Sequence, residues 1–352
     1  MKTETMTPRE RWLAVLQRQT PDRVPMDYWA TGEATEKLLK HLGCDYNEML
    51  RRLHIDTVCG VGPSYVGPKP PAGEDIWGLR YQKIEYGTGS YDEGVNAPLG
   101  QYESAAEIAA HYRWPTPDWW DYSVIPNQIK GQEHRPIRGG GSEPFLLYCR
   151  LRGMEQAFMD LAVNPEIVDY CLDKLFGLAY EETRRIFETI PGQVMQTYVA
   201  EDLGSQQGLL MSRDHIRRYL FPRMKRMIDL AHQAGVYVFH HDDGGIREII
   251  PDLIELGVDI LNPIQWKLPG MAREGLKRDF GRQLVFHGAV DNQQTLPFGT
   301  VADVRREVAE NLDILGKDGG YILGPCHNIQ AVSPPENIVA MYEAGYDLGW
   351  SK

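Results

Sequence analysis

Four consecutive polar residues, His240-His241-Asp242-Asp243, follow the apolar run Val236-Tyr-Val-Phe239 and precede a pair of glycines. Two imidazoles and two carboxylates set so close together are costly to bury unless they are paired or bind something. Side chains alternate along a strand, so His241 and Asp243 can face one way while His240 and Asp242 face the other. A His-x-Asp pair joined by a thiolate from elsewhere in the chain makes a metal site of nitrogen, oxygen and sulfur donors, a set that zinc accepts. Cys326, in Gly324-Pro-Cys-His-Asn328, is the thiol in a comparable position. Zinc held there would lower the pKa of a bound thiol or water and so produce a nucleophile near neutral pH. The plainer alternative has His241 and Asp243 as an ordinary hydrogen-bonded pair and Cys326 as a packed thiol.

Further polar residues stand at the ends of other apolar runs. Glu201 and Asp202 follow Gln193–Val199; one of them is expected as a general base or fourth metal ligand, or else as a cap for a helix near Gly204. Asn262, Gln265 and Trp266 are candidates for contact with a ligand or cofactor, Trp266 by stacking on a flat one. His287 reads equally as a group at the rim or as a core histidine. Asp291 follows the same strand and is either catalytic or the anchor of an Asx-turn. His327 and Asn328 adjoin Cys326.

The elements that must position these groups alternate in type. Residues 236–261 read as strand, loop, helix and strand, with Ile246, Ile249, Ile250, Leu253 and Ile254 at helical spacing and Gly257 as the stop. Strands are also expected at Val24–Trp29, Asp56–Cys59, Phe145–Cys149, Gln193–Val199, Leu284–His287 and Tyr321–Leu323, with helices between them. Thr7-Pro8-Arg9-Glu10 has the N-cap, N1 proline and N3 glutamate of a helix start. From about residue 60 to 117, Gly, Pro and aromatic residues are frequent. The alternation over Leu79–Tyr86, with a turn at Gly87-Thr-Gly89, predicts a β-hairpin inserted in the main fold. Neither GxGxxG nor GxxxxGK[ST] is present, so dinucleotide and P-loop chemistry have no support. Many βα units without a nucleotide fingerprint predict an α/β protein: one (β/α)8 TIM barrel over residues 1–352, with an N-terminal helical and β-hairpin elaboration. A barrel brings all the strand ends to one rim, which is the main physical argument for an enzyme.

The 352 residues include 42% hydrophobic and 24% charged positions, as in soluble globular proteins. The net charge of −12 argues against nucleic acid as a partner, because binding phosphates requires a basic face. No run approaches a membrane span, and the polar start MKTETMTPRERW does not read as a signal peptide, so a cytoplasmic location is expected. The five cysteines are widely spaced without CxxC and are expected to be reduced thiols.

Several of these motifs together resemble the uroporphyrinogen decarboxylase superfamily. They are Pro21-Asp-Arg-Val-Pro25, Ala200-Glu-Asp-Leu-Gly204 with Leu209-Leu-Met-Ser212, His241-x-Asp-Gly244 with Ile254–Gln265, Gly288–Gln293, and Leu323-Gly-Pro-Cys-His-Asn-Ile329. The resemblance implies a (β/α)8 barrel with its site in a deep cleft at the rim. It also implies one of two chemistries. Decarboxylases of the family act on tetrapyrroles without a cofactor and carry Met-Arg-Gln-Ala-Gly-Arg after the first strand; here that stretch is Met26-Asp-Tyr-Trp-Ala-Thr-Gly32, without the arginines. Corrinoid-dependent methyltransferases hold zinc through His-x-Cys and a distant Cys. His241 and Cys326 match that pattern, and Asp243 replaces the middle cysteine. The resemblance therefore implies a zinc-dependent methyltransferase that works with a corrinoid protein or a thiol and a small-molecule methyl donor or acceptor. Helices around a barrel often support dimers, which makes a homodimer a candidate assembly. A cofactor-free decarboxylase and a non-catalytic tetrapyrrole- or metabolite-binding barrel are the alternatives.

Overall fold

The computed structural model describes residues 3–85, 87 and 89–351. Seven parallel strands form one curled sheet: β1 (Cys59–Val61), β2 (Ile137–Ser142), β3 (Gln196–Val199), β4 (Tyr237–His241), β5 (Ile260–Asn262), β6 (Val285–Val290) and β7 (Tyr321–Pro325). Each strand lies beside its neighbour in sequence, so the sheet follows the chain in order. Helices Pro165–Thr189, Phe221–Gln233, Ile250–Leu256, Arg273–Phe280, Val301–Ile314 and Pro335–Leu348 follow β2 to β7 in turn. The arrangement is TIM-barrel-like: a parallel sheet needs a crossover between neighbours, and a helix supplies it.

Local sequence accounts for these elements. Every residue of β6 is buried, because helices cover one face of the sheet and the interior the other. In Phe221–Gln233, Met224, Met227, Ile228 and Ala231 are buried at the spacing of one helical face. Helix Pro8–Leu16 begins with the expected capping box between Thr7 and Glu10. Its Trp12, Val15 and Leu16 pack with Met195, Phe239, Ile260, Val285 and Ile322, residues at or near the starts of the strands. The helix thus plugs the N-terminal end of the sheet and leaves the C-terminal end open. Arg11 and Arg23 are buried and share the carboxylate of Asp56, which ties the plug to the chain before β1.

Three elements differ from expectation. The strand expected at Phe145–Cys149 is instead the helix Pro144–Arg152, and the strand is Ile137–Ser142, an Ile-Arg-Gly-Gly-Gly-Ser segment. A Cβ on Gly141 would lie 1.7 Å from the carbonyl oxygen of Tyr198, so close approach to β3 requires glycine there. The segment expected as a strand at Val24–Trp29 makes isolated bridges, Met26 with Leu323 and Ala30 with Ile329. The strand near Asp56–Cys59 falls at Cys59–Val61. The hairpin pairs Tyr81–Glu85 with Ser90–Gly94, while Tyr86 and Thr88 lie outside the described residues. Among the described residues no helix is long and apolar enough to cross a membrane.

Candidate functional site

His241 ends β4, and its Nδ1 lies 2.6 Å from Asn262 Oδ1 at the end of β5. The amide nitrogen of Asn262 lies 2.8 Å from His287 Nδ1 and 3.5 Å from the His287 carbonyl oxygen. Two acceptors on that side fix the amide orientation, so Asn262 Oδ1 accepts the Nδ1–H of His241. His287 in turn donates its Nε2–H to Asp27 Oδ2 at 3.0 Å. The chain Asp27–His287–Asn262–His241 turns Nε2 of His241 toward the rim, 3.8 Å from Asp202 Oδ1 and 4.0 Å from Asp243 Oδ1.

His327 is oriented in the same way from β7. Its Nδ1 bonds Asn328 Oδ1, which also accepts from Gln330 Nε2 at 2.8 Å. Nε2 of His327 then faces Asp243 Oδ2 at 3.5 Å. Ligand atoms of His241, Asp243 and His327 all lie within 4.8 Å of one another. Asp243 Oδ1 is buried and has no hydrogen-bond partner. Burial pushes the Asp243 carboxyl up, against the pull of His241 and His327. Two imidazole nitrogens and a carboxylate that converge in this way could together hold a cation. The donor set, two nitrogens and an oxygen, fits zinc, and an amide oxygen behind each imidazole is the usual way such ligands are oriented.

The other residues singled out from the sequence fall into distinct places. Asp202 is beside the cluster and accepts the backbone N–H of Asp243 at 3.2 Å. Cys326 is buried one residue before His327, with its thiol donating to the Ile264 carbonyl at 3.2 Å, so it stands outside the trio. Burial, and then Asp291, Glu307 and Asp243, push that thiol well up. Glu201 is fully buried and points elsewhere: its carboxylate accepts the backbone N–H groups of Phe145 and Leu146, capping the preceding helix Pro144–Arg152. His240 and Asp242 face away from the cluster, with His240 Nδ1 on the Val199 carbonyl and Asp242 Oδ1 on the N–H of Leu203. Gln265 accepts the N–H of Gly244 at 2.6 Å. Trp266 donates to the Ala289 carbonyl, and Arg273 lies 4.0 Å from its ring centroid, so one face of the indole is covered. Asp291 pairs with Lys267 and accepts N–H groups from Gln293, Gln294 and Thr295, the geometry of a loop anchor. Burial would raise its carboxyl, but Lys267 and these N–H groups hold it low.

Two glycines lock the rim loops that carry Asp202 and Asp243. A Cβ on Gly204 would meet the Asp243 carbonyl oxygen at 2.2 Å, and one on Gly244 would meet the carbonyl carbon of Gly204 at 2.4 Å. Gly244 also has a φ of +97°, which only glycine adopts freely.

Beneath the cluster is a cavity of about 350 Å³ lined by Asp27, Trp29, Arg138, Tyr198, Phe239 and His287, with Tyr28 and Val58. The Trp29 ring lies 5.2 Å from that of His241 and 4.7 Å from that of His327, so Trp29 borders both the cavity and the cluster. Sequence reasoning missed Asp27, Trp29, Arg138 and Tyr198. Tyr198 lies within an expected strand, and a period-two reading of its neighbours would have faced it inward with Gln196. Arg138 gave no signal, because its strand was not legible.

The family model of uroporphyrinogen decarboxylase (URO-D) matches residues 128–348. Uroporphyrinogen decarboxylase from Anaeromyxobacter dehalogenans (strain 2CP-C) is 26% identical over 140 residues, covering 40% of this chain and 38% of that protein. A methyltransferase from Methanosarcina mazei has a similar fold, with a TM-score of 0.69 at 20% identity over 97% of this chain and 99% of that one.

Proposed function

This chain belongs to the uroporphyrinogen decarboxylase family, and we propose that within it the protein is a metal-dependent methyltransferase. The observation that carries this reading is the convergence of His241 Nε2, His327 Nε2 and the buried, unpartnered Asp243 Oδ1. The fold likeness to a methyltransferase along nearly the whole chain supports the same side. So does the cavity, whose lining includes one guanidinium, a poor match for a tetrapyrrole bearing many carboxylates. We also take the extended segment 24–30 as the eighth strand of a closed barrel. Asp27 N–H bonds the Leu323 carbonyl on one side of it, and Asp56 N–H bonds the Met26 carbonyl on the other.

His241, Asp243 and His327 would hold zinc, with Cys326 as the further donor that the sequence points to. Zinc would supply a Lewis acid for the heteroatom that gains or loses the methyl group, and a corrinoid on a partner protein would supply the other methyl site. The chain itself performs the rest. Asn262 and Asn328 fix the two imidazoles. Asp202 is the nearest carboxylate outside the trio and is placed to give or take the proton of the heteroatom. Trp29, Tyr198 and Phe239 give the cavity beneath the cluster an aromatic wall.

Metal content of the purified protein and of His241→Ala, measured in parallel, tests the reading. About one zinc per chain, absent from the variant, together with methyl transfer to or from a free corrinoid that chelation abolishes, is the expected result. A protein that stays metal-free after incubation with zinc, or turnover indifferent to chelation, overturns it and returns the decarboxylase alternative.

A further inference from the structure

Arg138 is the second residue of β2, half-buried, and its side chain lines the cavity. No hydrogen bond or ion pair reaches its guanidinium from any described residue; the ring of Tyr198 has its centroid 5.9 Å from Cζ, and the Asp27 carboxylate is near enough for the Arg138 charge to help hold it low. The adjacent carboxylate of Asp27 is already committed, one oxygen to the Tyr28 N–H and the other to His287 Nε2. A guanidinium cannot shed its charge, and five donors without acceptors in a cleft are a standing demand for an anion.

The register of the sheet sets the depth of this charge. Arg138 aligns with Gln196, and Gln196 with Tyr237, four residues before His241. At the strand rise, its backbone lies about 13 Å below that of His241. The wall between them is aromatic. Tyr198 lies nearly parallel to Phe239, with centroids 5.9 Å apart, and to His241, with centroids 6.0 Å apart. Trp29 closes the facing side against His241 and His327. The rim has the opposite charge, since Asp202 and Asp243 stand there and Tyr198 presents its hydroxyl to Glu143. An anionic ligand therefore enters with its charge pointing down.

We propose that the cavity binds an aromatic monocarboxylate, with its carboxylate on Arg138, its ring between Tyr198 and Trp29, and the far substituent at the His241–Asp243–His327 cluster. On the methyltransferase reading, on which only the fate of that substituent rests, the substituent is a methoxy or methylamino group. The volume of the cavity suits one ring with its substituents.

Calorimetric titration with 4-methoxybenzoate and with its neutral isostere 4-methoxybenzamide tests the assignment without any turnover. The acid is expected to bind at least tenfold more tightly than the amide. Arg138→Met should remove that preference and Arg138→Lys should keep most of it, with circular dichroism melts confirming that each variant is folded. The same preference is expected in His241→Ala, so a failure of the metal reading leaves this result standing. Equal binding of acid and amide by the wild type, no binding of either at millimolar concentration, or undiminished acid affinity in a folded Arg138→Met overturns the proposal. Should Arg138→Met not fold, the comparison of acid and amide on the wild type decides alone.

Discussion

His241 and Asn262 are joined side chain to side chain at 2.6 Å, Nδ1 to Oδ1, across adjacent strands. The bond fixes which imidazole nitrogen is free, and that choice decides whether His241 can serve as a ligand. Asn262→Leu is therefore expected to weaken zinc binding about 10- to 100-fold without abolishing it. Competition against a chromogenic chelator measures this. Unchanged affinity would mean that His241 holds its tautomer without the amide.

Cys326 donates its thiol hydrogen to the Ile264 carbonyl and stands outside the trio. On metal loading it is expected to join as a thiolate donor. Cobalt(II) substituted for zinc should then show a sulfur-to-metal charge-transfer band in the near ultraviolet that Cys326→Ala lacks. If the wild type has no such band, the centre is restricted to His241, Asp243 and His327.

Glu201 and Asp202 are neighbours with opposite tasks. Glu201→Ala leaves the buried N–H of Phe145 and the part-buried N–H of Leu146 without this acceptor and should cost about 1–3 kcal/mol of stability. Turnover per folded molecule should change little. Asp202→Asn should do the reverse, with an unchanged melting temperature and at least a tenfold loss of turnover. Urea unfolding and methyl-transfer rates on the two variants separate the roles, and a catalytic defect in folded Glu201→Ala would refute the division.

Glu182, on helix Pro165–Thr189, gives a pH signature of its own. Burial pushes its carboxyl up to about 7, Arg185 opposes only in part, and Oε1 has no partner. A folded-state value above the unfolded one means that the acid binds its proton more tightly in the native state. Stability is thus undiminished below pH 4.5, falls as pH rises from 4.5 to about 7, and is flat above that. The loss is at most about 3 kcal/mol. Glu182→Gln removes this slope, so the stability difference between variant and wild type should move in favour of the variant between pH 4.5 and 8. Parallel curves for the two proteins would show that Glu182 ionises normally.

The sequence made the strand-end chemistry visible because apolar runs stop abruptly at His240, Asn262, Val290 and Pro325, and alternation alone separates His241 from His240. The TIM-barrel-like order of strands followed from the same runs. What stayed hidden depended on contacts between distant segments. β2 contains three glycines that let it approach β3, so no apolar period marks it, and Phe145–Cys149 supplied a false strand one element later. Arg138 was lost with that strand. His327 was visible beside Cys326, but only the position of Asp243 shows that the imidazole faces the cluster. Glu201 read as catalytic because its partners, two backbone N–H groups 55 and 56 residues away, leave no trace in local sequence.

The interlocked pair Gly204 and Gly244 bears on how the site can vary. With no room for even a methyl group between their backbones, the loops of Asp202 and Asp243 pack directly against each other as one sill. The pair constrains inheritance, since a side chain gained at either position would need a compensating shift in the other loop. The spacing between acid and cluster is thereby protected by the two positions that carry no chemistry at all.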